Sequence, residues 1–404
     1  MKTCAYTFRN GEKCTEETRQ NSEFCILHTE LPEDEESEEF REINELKEKK
    51  VEEKVSKEDF NFEGARLLEV DFSEIEIKNN LDFTDAKIKN NLDFNLAVIR
   101  EYAAFDGAEI CGEAHFVRTK IDAIVASFNK AKIGGNAFFM AAEIEGDASF
   151  AEVKISGNAL FEAAKIRGGA FFQKASISKD ISFNAGKIGG IVSFQDATIG
   201  GIVSLAGADI SGIALFERAN IGKDVSLVKT KIVGDAWFPK TKIGGDVAFQ
   251  EAEIGRDVSF NGAEIGGRTI RFDRAEIKGE LSFKKAKFKN PKAQEDACRT
   301  AKNIWAKLGD RDEEDCYFRL EMEAKRKQKS SIIRFLEFIF VQYLFGYGTK
   351  MKPAFIIWLL IVFASALSFW IGNGVYQLVA YILAAIAAIM GALFIAIFAR
   401  KYMR

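Results

Sequence analysis

The chain of 404 residues carries only six cysteines, four prolines and two histidines. Six scattered thiols are too few for a disulfide scaffold. Residues 1–20 are polar and charged, so no secretory signal is predicted. Both absences predict a reduced, cytosolic setting for the soluble part. Strong net charge is also missing: the formal balance is -4. It is unevenly spread, with 10 Lys/Arg against 18 Asp/Glu in residues 1–59, 29 against 32 in 60–288, and 17 against 10 in 289–404. An acidic head, a near-neutral body and a basic tail predict three regions in different surroundings. The length is too great for one ordinary core and suits several modules.

Phenylalanine is abundant, with 36 residues. Much of it keeps a beat of eleven: Phe139, Phe150 and Phe161 alternate with Ile133, Ile144 and Ile155. The same pattern makes 21 units over residues 62–288, with one-residue stretches at 121–128 and 265–272. Phe to Ile is five residues and Ile to Phe is six, a spacing that fits neither an amphipathic helix nor a simple alternating strand. Glycine two residues after most of the Ile positions (Gly135, Gly146, Gly157, Gly168) argues further against helix. The surviving reading is a β-solenoid that turns a corner every five or six residues. Each Ile or Phe points inward, beside a small residue two positions earlier such as Ala131, Ala137 or Ala142. The Gly after each Ile is expected to sit at positive φ in the longer corner, although Lys179, Lys223 and Arg256 break that rule.

This beat resembles the pentapeptide-repeat family, in a variant that alternates five- and six-residue steps. The resemblance covers more than half of the chain and implies a right-handed, four-sided β-helix. Strict pentapeptides would repeat at ten rather than eleven. With four faces, a coil takes about 22 residues, so that Phe139 stacks on Phe161 and Ile133 on Ile155; about ten coils at ~4.8 Å give a rod of ~50 Å. Open ends need caps, and helical segments at 36–57 and 291–327 are placed to supply them. No nucleophile–base pair, metal cluster or phosphate loop recurs with the beat, so no enzyme is predicted. His115 and nearby Cys111 read as a scattered surface pair. Some relatives mimic DNA and bind topoisomerases, but a near-neutral rod is a poor mimic.

The segment "CAYTFRNGEKCTEETRQNSEFCILH" holds half of the cysteines and one histidine. Cys4, Cys14, Cys25 and His28 form C-x9-C-x10-C-x2-H, a donor set suited to a closed tetrahedral zinc site. Residues 1–30 are too short for a core of their own, and the metal would supply folding energy. The segment also looks like a small Cys3His module seen ahead of pentapeptide repeats. Residues 31–59 read as a charged linker, either a solvated helix or mostly disordered.

From 289 to 330 two helices are expected, joined at Gly309-Asp310, with Ala293, Ala297, Ala301, Ile304, Trp305 and Leu308 on one face of the first. This stretch is similar to the helical hairpin that follows the repeats in membrane-bound members of the family. Cys298 and Cys316 are expected to pack there. Residues 331–352 read as an interfacial segment continuous with the basic run Lys325–Lys329. Its Gly346-Tyr347-Gly348 lacks the context of a potassium filter. From Pro353 to Ala399 no charge occurs, and Gly372-Asn373-Gly374 splits the run into Ala354–Ile371 and Val375–Ala399, each long enough to span a bilayer. Lys350, Lys352, Arg400, Lys401 and Arg404 flank the pair, predicting a hairpin in 353–404 with both termini cytoplasmic. Ala384, Ala388, Ala392 and Ala396 suit close helix packing within the hairpin or a homo-oligomer. Neither span holds an ionisable residue for transport.

The expectation is therefore a mainly β protein: a four-sided solenoid with helical caps, a zinc-bound head and a membrane anchor, displaying its rod to a protein partner. The partners expected are that protein, membrane lipid and a second copy of the chain, not nucleic acid. The alternatives are an accessory subunit of a channel or transporter, and a soluble inhibitor of the topoisomerase-targeting type.

Overall fold

The computed structural model describes residues 2–19, 22–337, 352–371 and 379–392. It comprises two compact units, Met1–Lys289 and Asn290–Arg404.

In the first unit, helix α1 (Glu38–Ser56) precedes 42 strands among the described residues, each of two or three residues, from β1 (Phe60–Asn61) to β42 (Lys287–Phe288). Each strand pairs with the one four later in sequence, giving four sheets of 11, 11, 10 and 10 strands. All the pairings are parallel, as between Lys132 and Lys154 or Ala137 and Ala159. We number these faces one to four from their first residues, Phe60, Arg66, Val70 and Glu76. The coil is thus four-sided, and Ile133 lies opposite Ile155. The expected one-residue stretches appear as longer steps, Glu109 to Lys132 and Val247 to Ile270.

The inward rows explain the spacing. Faces one and three each carry a column of aromatic rings. Phe139 stacks on Phe161 at 4.8 Å and 6° on face three, and Phe128 on Phe150 at 4.8 Å and 5° on face one. Across the coil the two columns meet edge-to-face, with Phe139 and Phe150 5.3 Å apart at 86°. These are favourable aromatic geometries. Ile rows fill faces two and four, and Ala131, Ala137 and Ala142 are fully buried beside them. Successive coils are joined by backbone bonds such as Phe139 N–H to Leu160 O (2.7 Å) and Lys154 N–H to Ala131 O (2.8 Å).

The corner glycines require a correction. Positive φ falls two residues after each Phe position, not after each Ile, and mostly on residues with side chains: Ala141, Ala163, Leu96 and Arg118 lie at φ 55–60. Gly146, two after Ile144, is absent from that region; its constraint is close approach, since a Cβ there would lie 1.8 Å from the Ile124 carbonyl oxygen. The Ile corners are tight because each coil lies directly on the last. Next to these glycines runs a side-chain ladder. Asn136 Oδ1 accepts from Asn158 N–H (2.8 Å), Asn158 Oδ1 from Asp180 N–H (3.1 Å), and Asp180 Oδ1 from Ile202 N–H (2.7 Å).

Residues 31–59 are resolved in favour of helix, and α1 is more than a solvated face. Ser37 caps its N-terminus by accepting from Phe40 N–H, and Phe40, Ile43 and Lys47 are buried. Asn44, Lys47 and Val51 line a cavity with Leu67, Val70 and Phe72 of the first coil, and the Lys54 ammonium lies 5.8 Å from the Phe62 ring centre. The end of the aromatic stack is thereby closed: Phe60, Phe62 and Phe72 are all buried.

In the second unit, α2 (Pro291–Leu308) and α3 (Arg311–Lys327) form the expected hairpin, with Gly309 in the left-handed C-cap conformation (φ 80°) and Asp310 capping α3. Ala293, Ala297, Ala301 and Trp305 are buried as expected, and so is Cys298, whereas Leu308 is exposed. Cys316 is half-buried. Buried Glu321 binds Lys302 (2.6 Å) and Arg299 (3.4 Å) across the hairpin and Lys325 (2.7 Å) one turn on in α3. Then come α4 (Ser331–Glu337), α5 (Lys352–Ile371) and a helix over 379–392, here α6. The Trp358 indole N–H donates to Ala387 O (2.8 Å), so α5 and α6 pack together. Ala380 and Ala387 are buried, while Ala384, Ala388 and Ala392 are exposed. Among the described residues no helix is long and apolar enough to cross a membrane; several α5 side chains, residues 375–378 and 393–399 of the second expected span, the Gly346-Tyr347-Gly348 motif, the Gly372-Asn373-Gly374 split and the basic C-terminus lie outside them.

Two measurements check the core and the corners. Phe161→Asp places an unpaired charge in the ring column and is expected to cost more than about 4 kcal/mol, whereas Phe161→Leu, which copies Leu205 and Leu227, should cost only about 1–2 kcal/mol by urea unfolding. Gly146→Ala should destabilise by about 1–3 kcal/mol. Ala163→Gly should leave the midpoint within about 1 kcal/mol of the parent, because glycine relieves the left-handed corner while loosening the unfolded chain.

Candidate metal centre and solenoid surface

The first thirty residues have almost no apolar core and are held by short backbone bridges, Thr3 with Glu17 and Thr7 with Lys13. Cys14 N–H donates to Tyr6 O (2.9 Å), Cys4 N–H to Glu16 O (2.9 Å), and a tight turn brings His28 N–H to Cys25 O (3.1 Å). These bonds draw three distant cysteines and the histidine into one cluster. Every ligand atom of Cys4, Cys14, Cys25 and His28 lies within 4.8 Å of the others. These are the four residues whose spacing suggests a zinc site, and the fold brings all of them together.

His28 Nδ1 is 3.4 Å from Cys4 Sγ and 3.2 Å from Cys25 Sγ, and Cys14 Sγ is 4.0 Å from Cys25 Sγ. Four donors on a metal at Zn–S ~2.3 Å and Zn–N ~2.0 Å would stand roughly 3.5–3.8 Å apart at tetrahedral angles. The cluster is compact enough to hold one metal ion. Burial pushes the Cys25 thiol up to about 12 and raises that of Cys14. It also lowers His28, so a neutral imidazole is favoured. A bound dication reverses the penalty on the thiolates, and the Cys25 N–H, 3.2 Å from Cys4 Sγ, is placed to stabilise that sulfur when charged.

Residues outside the four donors, none of them marked by a motif in the sequence, tie the cluster to the solenoid. With Nδ1 facing the sulfurs, His28 Nε2–H donates to Glu63 O in the first coil (3.0 Å). The Tyr6 ring stacks on His28 at 4.0 Å and 18°. It rests against Gly64 (φ 71°), where a Cβ would come within 2.1 Å of the ring. Burial, reinforced by Glu63, raises the Tyr6 phenol to about 12. Arg9 makes two 2.7 Å bonds to Asp85 in the second coil. Behind the Cys25–His28 turn, the Lys47 ammonium donates to Ile26 O (2.6 Å), Leu27 O (3.3 Å) and Thr29 O (2.7 Å); burial lowers its pKa to about 7. In sequence Lys47 is one basic residue within a charged run. The available signal was its place in a row with Phe40 and Ile43 on one helix face.

His115 and Cys111 form no reactive pair. The His115 ring stacks on Phe138 at 5.0 Å and approaches Glu113 at 3.4 Å, while exposed Cys111 lines a separate cavity with Leu31, Pro32 and Lys89.

Residues 238–287 match the family model described as pentapeptide repeats in nine copies. This match and the coil geometry support membership of the pentapeptide-repeat family. No curated protein and no solved structure matches the chain.

The outward rows of the solenoid are mostly polar and locally paired, for example Lys165 with Glu143 (2.7 Å) and Arg218 with Asp196 (2.6 Å). Face one departs from this. Phe171, Ser193, Leu215 and Trp237 lie in register on four successive strands, and Ile191 and Ile213 flank them in the same coils. Trp237 is 42% exposed. Gly169 leaves room for the Phe171 ring, which comes within 2.5 Å of where a Cβ would be. The Ser193 hydroxyl, buried within this strip, makes no hydrogen bond to the protein. The strip spans three coil steps, ~14 Å.

Lys47→Met keeps the length of the side chain and removes three donors to main-chain oxygens. It is expected to destabilise the amino-terminal module by about 1–3 kcal/mol, seen as faster proteolysis or amide exchange in residues 2–30, with the exchange of residues 131–216 unchanged.

Proposed function

We propose that the chain is a membrane-anchored pentapeptide-repeat scaffold that displays its solenoid to a protein partner on the cytoplasmic side. The observation that carries this reading is the apolar strip of Phe171, Ile191, Ile213, Leu215 and Trp237 on a mostly polar surface. A contiguous apolar patch rimmed by polar residues marks an interaction site, and an exposed aromatic such as Trp237 suits an interface centre.

Anchoring is supported by the 47 residues from 353 to 399 without a charge and by the basic residues on either side. The Trp358–Ala387 bond is consistent with two antiparallel apolar helices folded into a hairpin. Because Ala384, Ala388 and Ala392 are exposed beside that contact, they are available to a second copy of the chain. The role of Cys4, Cys14, Cys25 and His28 is structural zinc binding. Four protein donors leave no open coordination position for catalysis, and their spacing suits one ion.

The test is cross-linking in native membranes, comparing the full chain with its Leu215→Glu, Trp237→Glu double variant. A defined protein captured by the parent and lost from the variant, with unchanged unfolding, is the expected result. Equal capture by both would remove the strip from the function. In the same membranes the full chain should resist carbonate extraction; release into the soluble fraction would overturn the anchor.

A further inference from the structure

We propose that metal loading and the ordering of the first solenoid coil are one coupled equilibrium, transmitted through His28, Tyr6 and the Glu63-Gly64 corner. The proposal rests on the zinc reading above and adds what the metal regulates: the closure of the solenoid's amino-terminal end.

The coupling can be followed atom by atom. If Nδ1 is the ligating nitrogen, Nε2 carries the proton, and its hydrogen bond to Glu63 O (3.0 Å) fixes both the tautomer and the ring plane. On one side of that ring lies Tyr6, whose position depends on the missing side chain of Gly64. Leu27, within the Cys25–His28 turn, accepts from Arg66 N–H (2.7 Å) at the start of face two, where no earlier coil offers an acceptor. Lys47 binds the same turn from α1, the helix that also lines a cavity with the first coil. The groups that orient the ligands are thus the groups that close the first coil. A module of this size without its metal has little reason to stay folded. Its release would expose the end of the ring stack at Phe60 and Phe62, both now buried. The coupling is reciprocal: whatever loosens the corner must weaken metal affinity by the same factor as the metal tightens the corner.

The decisive comparison uses two glycines of matched conformation. Gly64 (φ 71°) seats Tyr6, whereas Gly207 (φ 67°) has only the Ala185 amide nitrogen nearby, at 3.9 Å. Valine at either imposes similar backbone strain, but only at 64 does it displace Tyr6. In the full-length protein, Zn²⁺ affinity is measured by competition with a chromophoric chelator, and the site is followed by the visible absorption of Co²⁺ in a thiolate-rich tetrahedral field. Gly64→Val should weaken Zn²⁺ binding by about 10–100-fold, the range for outer-shell changes, and Gly207→Val should leave it unchanged. Arg9→Ala, which removes the Asp85 bonds and keeps the backbone intact, should lie between them and stands in if Gly64→Val does not fold. Chelation of the parent should raise amide exchange across residues 60–83 and leave 131–216 protected.

Parental affinity in both Gly64→Val and Arg9→Ala, or first-coil exchange insensitive to chelation, would overturn the coupling and leave the zinc reading standing. A parent protein that takes up no stoichiometric Zn²⁺ would overturn both.

Discussion

Each ring in this solenoid must lie on the ring one coil away. That single requirement organises the first unit. Parallel strands stand ~4.8 Å apart, and the central ring pairs Phe139–Phe161 and Phe128–Phe150 are stacked at that separation. Aromatic contact and backbone pairing are therefore satisfied by the same step. Any residue that pushes two coils apart at a corner breaks both, and the corner glycines with no room for a Cβ express that limit.

The first coil has the same inward residues but no earlier coil to lie on. The amino-terminal module and α1 take the place of that missing neighbour. Their means differ from those of the repeat: a histidine proton on a backbone oxygen, a tyrosine seated on a glycine, an ammonium among three carbonyls, and a bidentate Arg9–Asp85 pair. A repeat can rely on its own copies, while an end needs groups used once.

That contrast explains what could be read from the sequence. The ring columns and both stretched units follow from periodicity, because each inward position recurs often enough to be recognised; the four-sided coil is what the family resemblance implied, and the α2–α3 turn is marked by Gly309-Asp310. The cluster of Cys4, Cys14, Cys25 and His28 was legible because Cys and His are scarce and grouped in sequence. The positive-φ corners were misplaced, since they carry Ala, Lys, Glu and Arg as readily as glycine and so leave no compositional mark. The Asn/Asp ladder was missed because its partner is a backbone N–H one coil away, which no pattern of side chains reveals. Lys47, Glu63 and Gly64 serve only once, and a residue used once has no period. Leu308 was misassigned because it lies in the last turn of α2, where the apolar face runs past the packed length of the helix.

Ile124, 89% exposed, lies in the stretched unit between Ile121 and Phe128. The inward row passes on either side of it undisturbed: Ile121 still pairs with Ile144, and Phe128 still stacks on Phe105 at 4.6 Å. The extra residue has been absorbed by pushing a corner outward rather than by shifting the stack. Chain length and core register are therefore separable at the corners. A lineage of such solenoids can gain residues there, and with them new surface loops, without renegotiating the interior.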